Sequence, residues 1–211
     1  MILYLDSDDI WKATYTDEAG CIRYKFDVSV SIKGEEINLY KPRAEGSTKM
    51  ELVGRVNYYY DNGKKEEARI KTHSDMFEDE GRLAGDVLRQ SGPSGFTYGS
   101  YKSYAFTTEN GDEFEWVFGY LMCSLHPVTV TGAVRETDNN LPPPVMTYHH
   151  SKFRLLSKSQ KPTFEVDEGY EEILDTALIT LAYLEKSRKV QERRRKGPRF
   201  FSTGWGFQAP V

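Results

Sequence analysis

Residues 173–184 read ILDTALITLAYL, twelve positions of which only Asp175, Thr176 and Thr180 are polar. Without Gly or Pro, and with apolar residues on every side of a 3.6-residue period, this stretch predicts a helix that must be covered around its whole circumference. The helix is expected to run from Glu171 to about Lys196. Its second half, KSRKVQERRRK at 186–196, reverses in character and is basic. Asp167, Glu168, Glu171 and Glu172 stand at the positive end of the helix dipole, and the lysines and arginines stand at the negative end.

The cover has to come from strands, because the preceding 165 or so residues alternate and turn. Ile10–Thr16 (IWKATYT) and Cys21–Ile32 (CIRYKFDVSVSI) flank Asp17-Glu18-Ala19-Gly20 and read as a hairpin. Ile37–Lys41 follows, then Met50–Tyr60 and Glu67–Thr72 around Asn62-Gly63, a turn pair tolerant of positive φ. The stretch from Ser74 to Gly99 is rich in glycine and reads as a long excursion, with a short strand or helical turn around Leu83–Leu88. Ser100–Thr108 and Glu113–Leu121 form the clearest hairpin, with Phe114, Trp116, Phe118 and Tyr120 on one face and Glu113 and Glu115 on the opposite, solvated one. Pro127–Val134, Val145–Leu156 and Thr163–Asp167 complete the set.

Some ten to twelve strands and one apolar helix predict a mainly β (α+β) fold: an antiparallel closed β-barrel around a buried C-terminal hydrophobic helix. Twelve helical residues span about 18 Å, close to the height of a barrel with strands of five or six residues. Residues 1–196 are expected to form one domain, with 197–211 an aromatic C-terminal tail.

The net charge of −4 excludes a global field for nucleic acid, yet seven cations and one acid, Glu192, fall within 186–196. The opening MILYLDSDDIW lacks a basic start and a long apolar run, and no segment reaches the roughly 18 apolar residues of a membrane span. Cys21 and Cys123 are far apart in the chain and lack metal-ligand spacing. An intracellular, reduced protein is expected, cytoplasmic with nuclear or membrane-peripheral placement as alternatives.

No arrangement for catalysis is legible. There is no G-x-S-x-G elbow and no glycine-rich phosphate loop. His149 and His150 are adjacent on a strand and so point to opposite faces. Asp6, Asp8 and Asp9 resemble a calcium loop only superficially, since Trp11 stands where the loop's glycine belongs, and they read as a surface turn. No catalytic residue, cofactor or metal site is expected.

Two stretches are candidates for binding. Lys186, Arg188, Lys189, Arg193, Arg194, Arg195 and Lys196 form a cationic helix end suited to phosphoinositide or other anionic lipid. The plainer reading is a solvated end that complements the dipole. Phe200, Phe201, Trp205 and Phe207 make the tail too apolar to be purely solvated, which suggests packing on the protein itself, a protein partner or a second copy.

The run LDTALITLAYLEKSRK at Leu174–Lys189, the preceding KPTFEVDEGYEEI and the hairpin YAFTTENGDEFEW resemble the tubby-like C-terminal superfamily. That superfamily includes tubby proteins, phospholipid scramblases and LURP-one-related proteins, and the closest likeness is to an uncharacterised fungal family within it. The resemblance covers Met1 to about Lys196 and carries fold motifs. It implies a barrel closed around one hydrophobic helix, and a non-enzymatic binding or scaffolding domain. Tubby proteins hold phosphoinositide headgroups on the barrel wall, whereas the cations here follow the core helix. The alternative function is a protein-protein interaction module that uses the aromatic tail or the 74–99 loop.

Overall fold

The computed structural model describes residues 1–44, 46–61, 64–72, 81–91, 103–119, 122–128, 142–151 and 161–195. Among these residues thirteen strands and two α-helices follow in chain order. The first group comprises β1 (Ile2–Leu5), β2 (Thr14–Thr16), β3 (Ile22–Ser31), β4 (Gly34–Pro42), β5 (Met50–Asp61), β6 (Lys64–Lys71) and β7 (Arg82–Leu83). A single helical turn, α1 (Ala84–Val87), leads to β8 (Arg89–Gln90), β9 (Ser103–Thr107), β10 (Glu113–Phe118), β11 (Met122–Pro127), β12 (Met146–His149) and β13 (Thr163–Val166). The long helix α2 (Leu174–Arg195) comes last, entered through a 3₁₀ turn at Glu171–Ile173.

All thirteen strands belong to one antiparallel sheet in the order β7-β6-β5-β4-β3-β2-β1-β13-β12-β11-β10-β9-β8. Two meanders therefore meet where β1 pairs with β13, Leu3 opposite Phe164. The outer edges, β7 and β8, are joined in sequence by the five residues 84–88. Laid flat, a sheet of this size would hold its edges about 58 Å apart, whereas five linking residues reach roughly 20 Å. The sheet is therefore bent round on itself, although no hydrogen bonds among the described residues join β7 to β8.

The bend encloses α2. Six consecutive residues, Ala177 to Ala182, are essentially inaccessible, which only cover on all sides can achieve. Contacts arrive from strands eight places apart in the sheet. A Cβ on Gly54 of β5 would lie 3.2 Å from the Ile179 side chain, so this strand passes the helix closely because it lacks a side chain there. On the other flank, the Trp116 indole of β10 donates to the Thr180 hydroxyl at 3.1 Å. Thr180 in turn donates to the Thr176 carbonyl at 2.8 Å, so this polar side chain is satisfied inside the core.

Some local readings change. Ile10–Lys12 is a 3₁₀ turn instead of the start of a strand, closed by Lys12 N–H donating to the Asp9 carbonyl at 2.8 Å. The turn buries the adjacent Ile10 and Trp11 together, which strand alternation cannot do. The strand expected at Pro127–Val134 lies instead at Met122–Pro127, and 129–134 fall outside the described residues. Asn62-Gly63 and Tyr120 also fall outside them. Glu115 is buried, contrary to its reading as solvated. It accepts a hydrogen bond from Ser91, which lies just past β8, and stands opposite His126 of β11, so the outer face here is covered.

Candidate functional site

At its lower end α2 is pinned by Asp175, which accepts from the Tyr24 hydroxyl of β3 at 2.7 Å and from the Lys41 ammonium of β4 at 2.6 Å. A cleft of about 170 Å³ lies beside this pair, lined by Cys21, Arg23, Lys41 and Glu171 among others. It is smaller than the few hundred Å³ usual for small-molecule sites.

At the upper end the apolar helix becomes basic, and the structure gives its first three cations separate partners. Lys186 is buried, forms an ion pair with Glu35 of β4 and lies 4.6 Å from the Tyr58 ring centroid. Burial pushes its pKa down and Glu35 opposes the shift. Arg188 donates to both oxygens of Glu185, at 3.1 and 2.8 Å, and also pairs with Glu192. Lys189 donates to the Asp9 carboxylate at 2.7 Å and the Asp8 carbonyl at 2.9 Å, over the Trp11 ring. The acidic turn at Asp8 and Asp9 thus fastens the emerging helix.

Glu185 is the centre of a buried polar group. Its carboxylate is 1% exposed, is held by Arg188 and lies 4.0 Å from His150 Nε2. His149 turns the other way, 3.4 Å from Glu165, so the two histidines do part to opposite faces. Burial raises the Cys123 thiol, and nearby Glu185 adds to the shift, so this cysteine is kept protonated and is not poised as a nucleophile. His150 is shifted below 6.5, by burial first, with Glu185 pulling upward. For a histidine depressed in the folded state, the stability it contributes is present above pH 6.5 and lost as pH falls toward the lower folded value. Thermal unfolding from pH 7.5 to 5.5 should therefore show a fall in Tm that is smaller in His150→Gln than in the parent. Identical slopes would remove His150 from this linkage.

A second polar group occupies the outer face of β10 and β11. His126 Nδ1 lies 2.7 Å from the Pro142 carbonyl, which can only accept, so Nδ1 carries a proton. In the neutral imidazole Nε2 then accepts from the Ser124 hydroxyl at 2.8 Å. This is a base, an orienting acceptor and a hydroxyl in line, although its histidine is buried. Among the described residues, no three His, Cys, Asp or Glu side chains come together as a metal site. No helix of the described residues is long and apolar enough to cross a membrane.

Of the cations singled out from sequence, Lys186, Arg188 and Lys189 are thus placed in ion pairs, each with its own partner. Arg193, Arg194 and Arg195 continue α2, with side chains outside the described residues, as are Lys196 and the tail residues Phe200, Phe201, Trp205 and Phe207. The 74–99 stretch is described only over 81–91, where it supplies β7, α1 and β8. Asp9, Trp11 and Glu35 escaped sequence reading as partners, because Asp9 and Lys189 are 180 positions apart and no local pattern links them, whereas the i,i+3 spacing of Glu185 and Arg188 on a helix is a local signal that could have found that pair.

The profile of a family of unknown function, DUF6593, matches residues 8–190. No curated protein and no solved structure matches the chain.

Proposed function

The chain belongs to this family of unknown function, which hands down no chemistry, and we propose that it is a non-enzymatic binding domain for anionic lipid headgroups. In this reading the bent sheet is the closed barrel of the tubby-like kind, with α1 filling the seam between β7 and β8. The observation that carries the function is a division of charge along the end of α2. Lys186, Arg188 and Lys189 are matched by acids of the same chain. After Glu192 the sequence holds Arg193, Arg194, Arg195, Lys196 and Arg199 and no acid at all. The first group fastens the helix, and the second is the group proposed to meet an external anion.

Each cation near an anionic bilayer is worth about 1 kcal/mol, so reversing Arg193, Arg194, Arg195 and Lys196 to Glu should weaken binding by about a hundredfold or more. Flotation with phosphatidylcholine vesicles, with and without phosphoinositide or phosphatidylserine, measures this. Binding confined to anionic vesicles and lost in the reversed variant supports the reading. No flotation, or flotation indifferent to the reversal, sinks it.

A further inference from the structure

We propose that the tip of the β3–β4 hairpin is an apolar anchor that seats this end of the molecule on a bilayer, with Val30 and Ile32 entering the acyl region; the inference rests on the lipid reading above.

The inner face of β3 carries Tyr24 and Phe26, both buried, then Val28, half-buried, and at the same period of two Val30, with Ile32 following in the two-residue turn to β4. These last two are 75% and 101% exposed, the most exposed large apolar side chains among the described residues. The strand is longer than the core it covers, so its apolar face runs on past the rim.

The height of the tip follows from the pairing. β3 and α2 run in the same sense, since Tyr24 meets Asp175 near the start of both. Val30 stands opposite Glu35, and Glu35 pairs with Lys186, the residue at which α2 turns basic. Ile32 lies beyond that level, at the end from which Arg193–Arg195 continue the helix. Aliphatic tip and cationic helix end therefore project in the same direction.

Shape and charge favour a bilayer over a protein. Two aliphatic side chains on a convex tip, between Ser29, Ser31 and Lys33, fall far short of the 1,200–2,000 Å² or so of a stable protein interface. A fluid acyl layer needs no matching pocket. Lys33 adds a cation at the turn, and the nearest acids are already engaged, Glu35 by Lys186 and Glu36 by Asn38 at 2.8 Å and Arg55 at 3.6 Å. An anionic surface meets the tip with attraction on both sides of the apolar pair.

The test uses the full chain and phosphatidylcholine–phosphatidylserine vesicles. Val30→Thr with Ile32→Thr keeps the β-branched shape and should lower vesicle partitioning by about tenfold or more, while Ile32→Trp should raise it. Binding to heparin, a soluble polyanion, should be unchanged in both variants and lost in the 193–196 reversal. Because both positions are exposed, the Tm should match the parent. Parent binding to vesicles with no loss in the double variant overturns the anchor and leaves the headgroup reading standing. Equal weakening toward heparin, a lowered Tm, or self-association of the parent without lipid that the double variant relieves also overturns it. If the parent binds heparin but no vesicle, both readings fall.

Discussion

Leu178→Asp should leave no folded protein. Leu178 is 1% exposed, between Ala177 and Ile179, which are both inaccessible, so a carboxylate there meets neither water nor a cation. Burying an unpaired charge costs several kcal/mol at the least, against a total stability of about 5–15 kcal/mol for an ordinary domain. The expected result is loss of soluble yield, or a chain without a cooperative urea transition. Leu178→Met, which keeps volume and apolarity, should stay within about 1.5 kcal/mol of the parent and shows that the position tolerates handling. A soluble Leu178→Asp chain with a parent-like transition would remove α2 from the core.

Trp116→Ala probes the opposite flank. The indole is inaccessible, packs 6.4 Å centroid to centroid from Phe164 of β13 and donates to Thr180 of α2. Truncating a buried tryptophan costs about 3–5 kcal/mol, through the lost contacts and the cavity left behind. Trp116→Phe fills most of that space and forfeits the donor, and Thr180 keeps its bonds to the Thr176 and Ala177 carbonyls, so about 1–2 kcal/mol is expected. Urea midpoints at unchanged slope measure both. A loss under about 1 kcal/mol for Trp116→Ala would mean that the β10 side of the sheet does not bear on the helix.

What could be read from the sequence follows the range of the signals. The all-round apolarity of Ile173–Leu184 is a local property, and it correctly demanded an enclosing wall. Asn110-Gly111 marks the turn between β9 and β10, with Gly111 at φ 88° as such a turn requires. The charges of the candidate site were visible as a run, but their meaning was not. Whether Lys186 is a surface cation or a buried tie depends on Glu35, which the packing of α2 against β4 brings across about 150 positions of chain. Glu115 shows the same limit, since alternation gives its face correctly and cannot tell that Ser91 bonds its carboxylate or that Pro142 bonds the neighbouring His126. The exposure of Val30 and Ile32 was hidden for a related reason. Alternation assigns a side of the strand and says nothing of where the core stops.

The order of elements has a consequence for biosynthesis. Every strand among the described residues precedes α2, and β1 pairs with β13, so during synthesis these strands leave the ribosome before the helix that they cover. Until Leu174–Leu184 appears, Leu39, Val56, Trp116 and Leu125 have no interior to enter, and the strands face the cell as unpacked apolar ribbons. Folding is thus deferred until α2 has been synthesised, and the long sequence separation of the β1·β13 pair makes it slow. A nascent chain stalled before Leu174 should stay protease-sensitive and dependent on chaperones. Release of α2 converts it in one cooperative step.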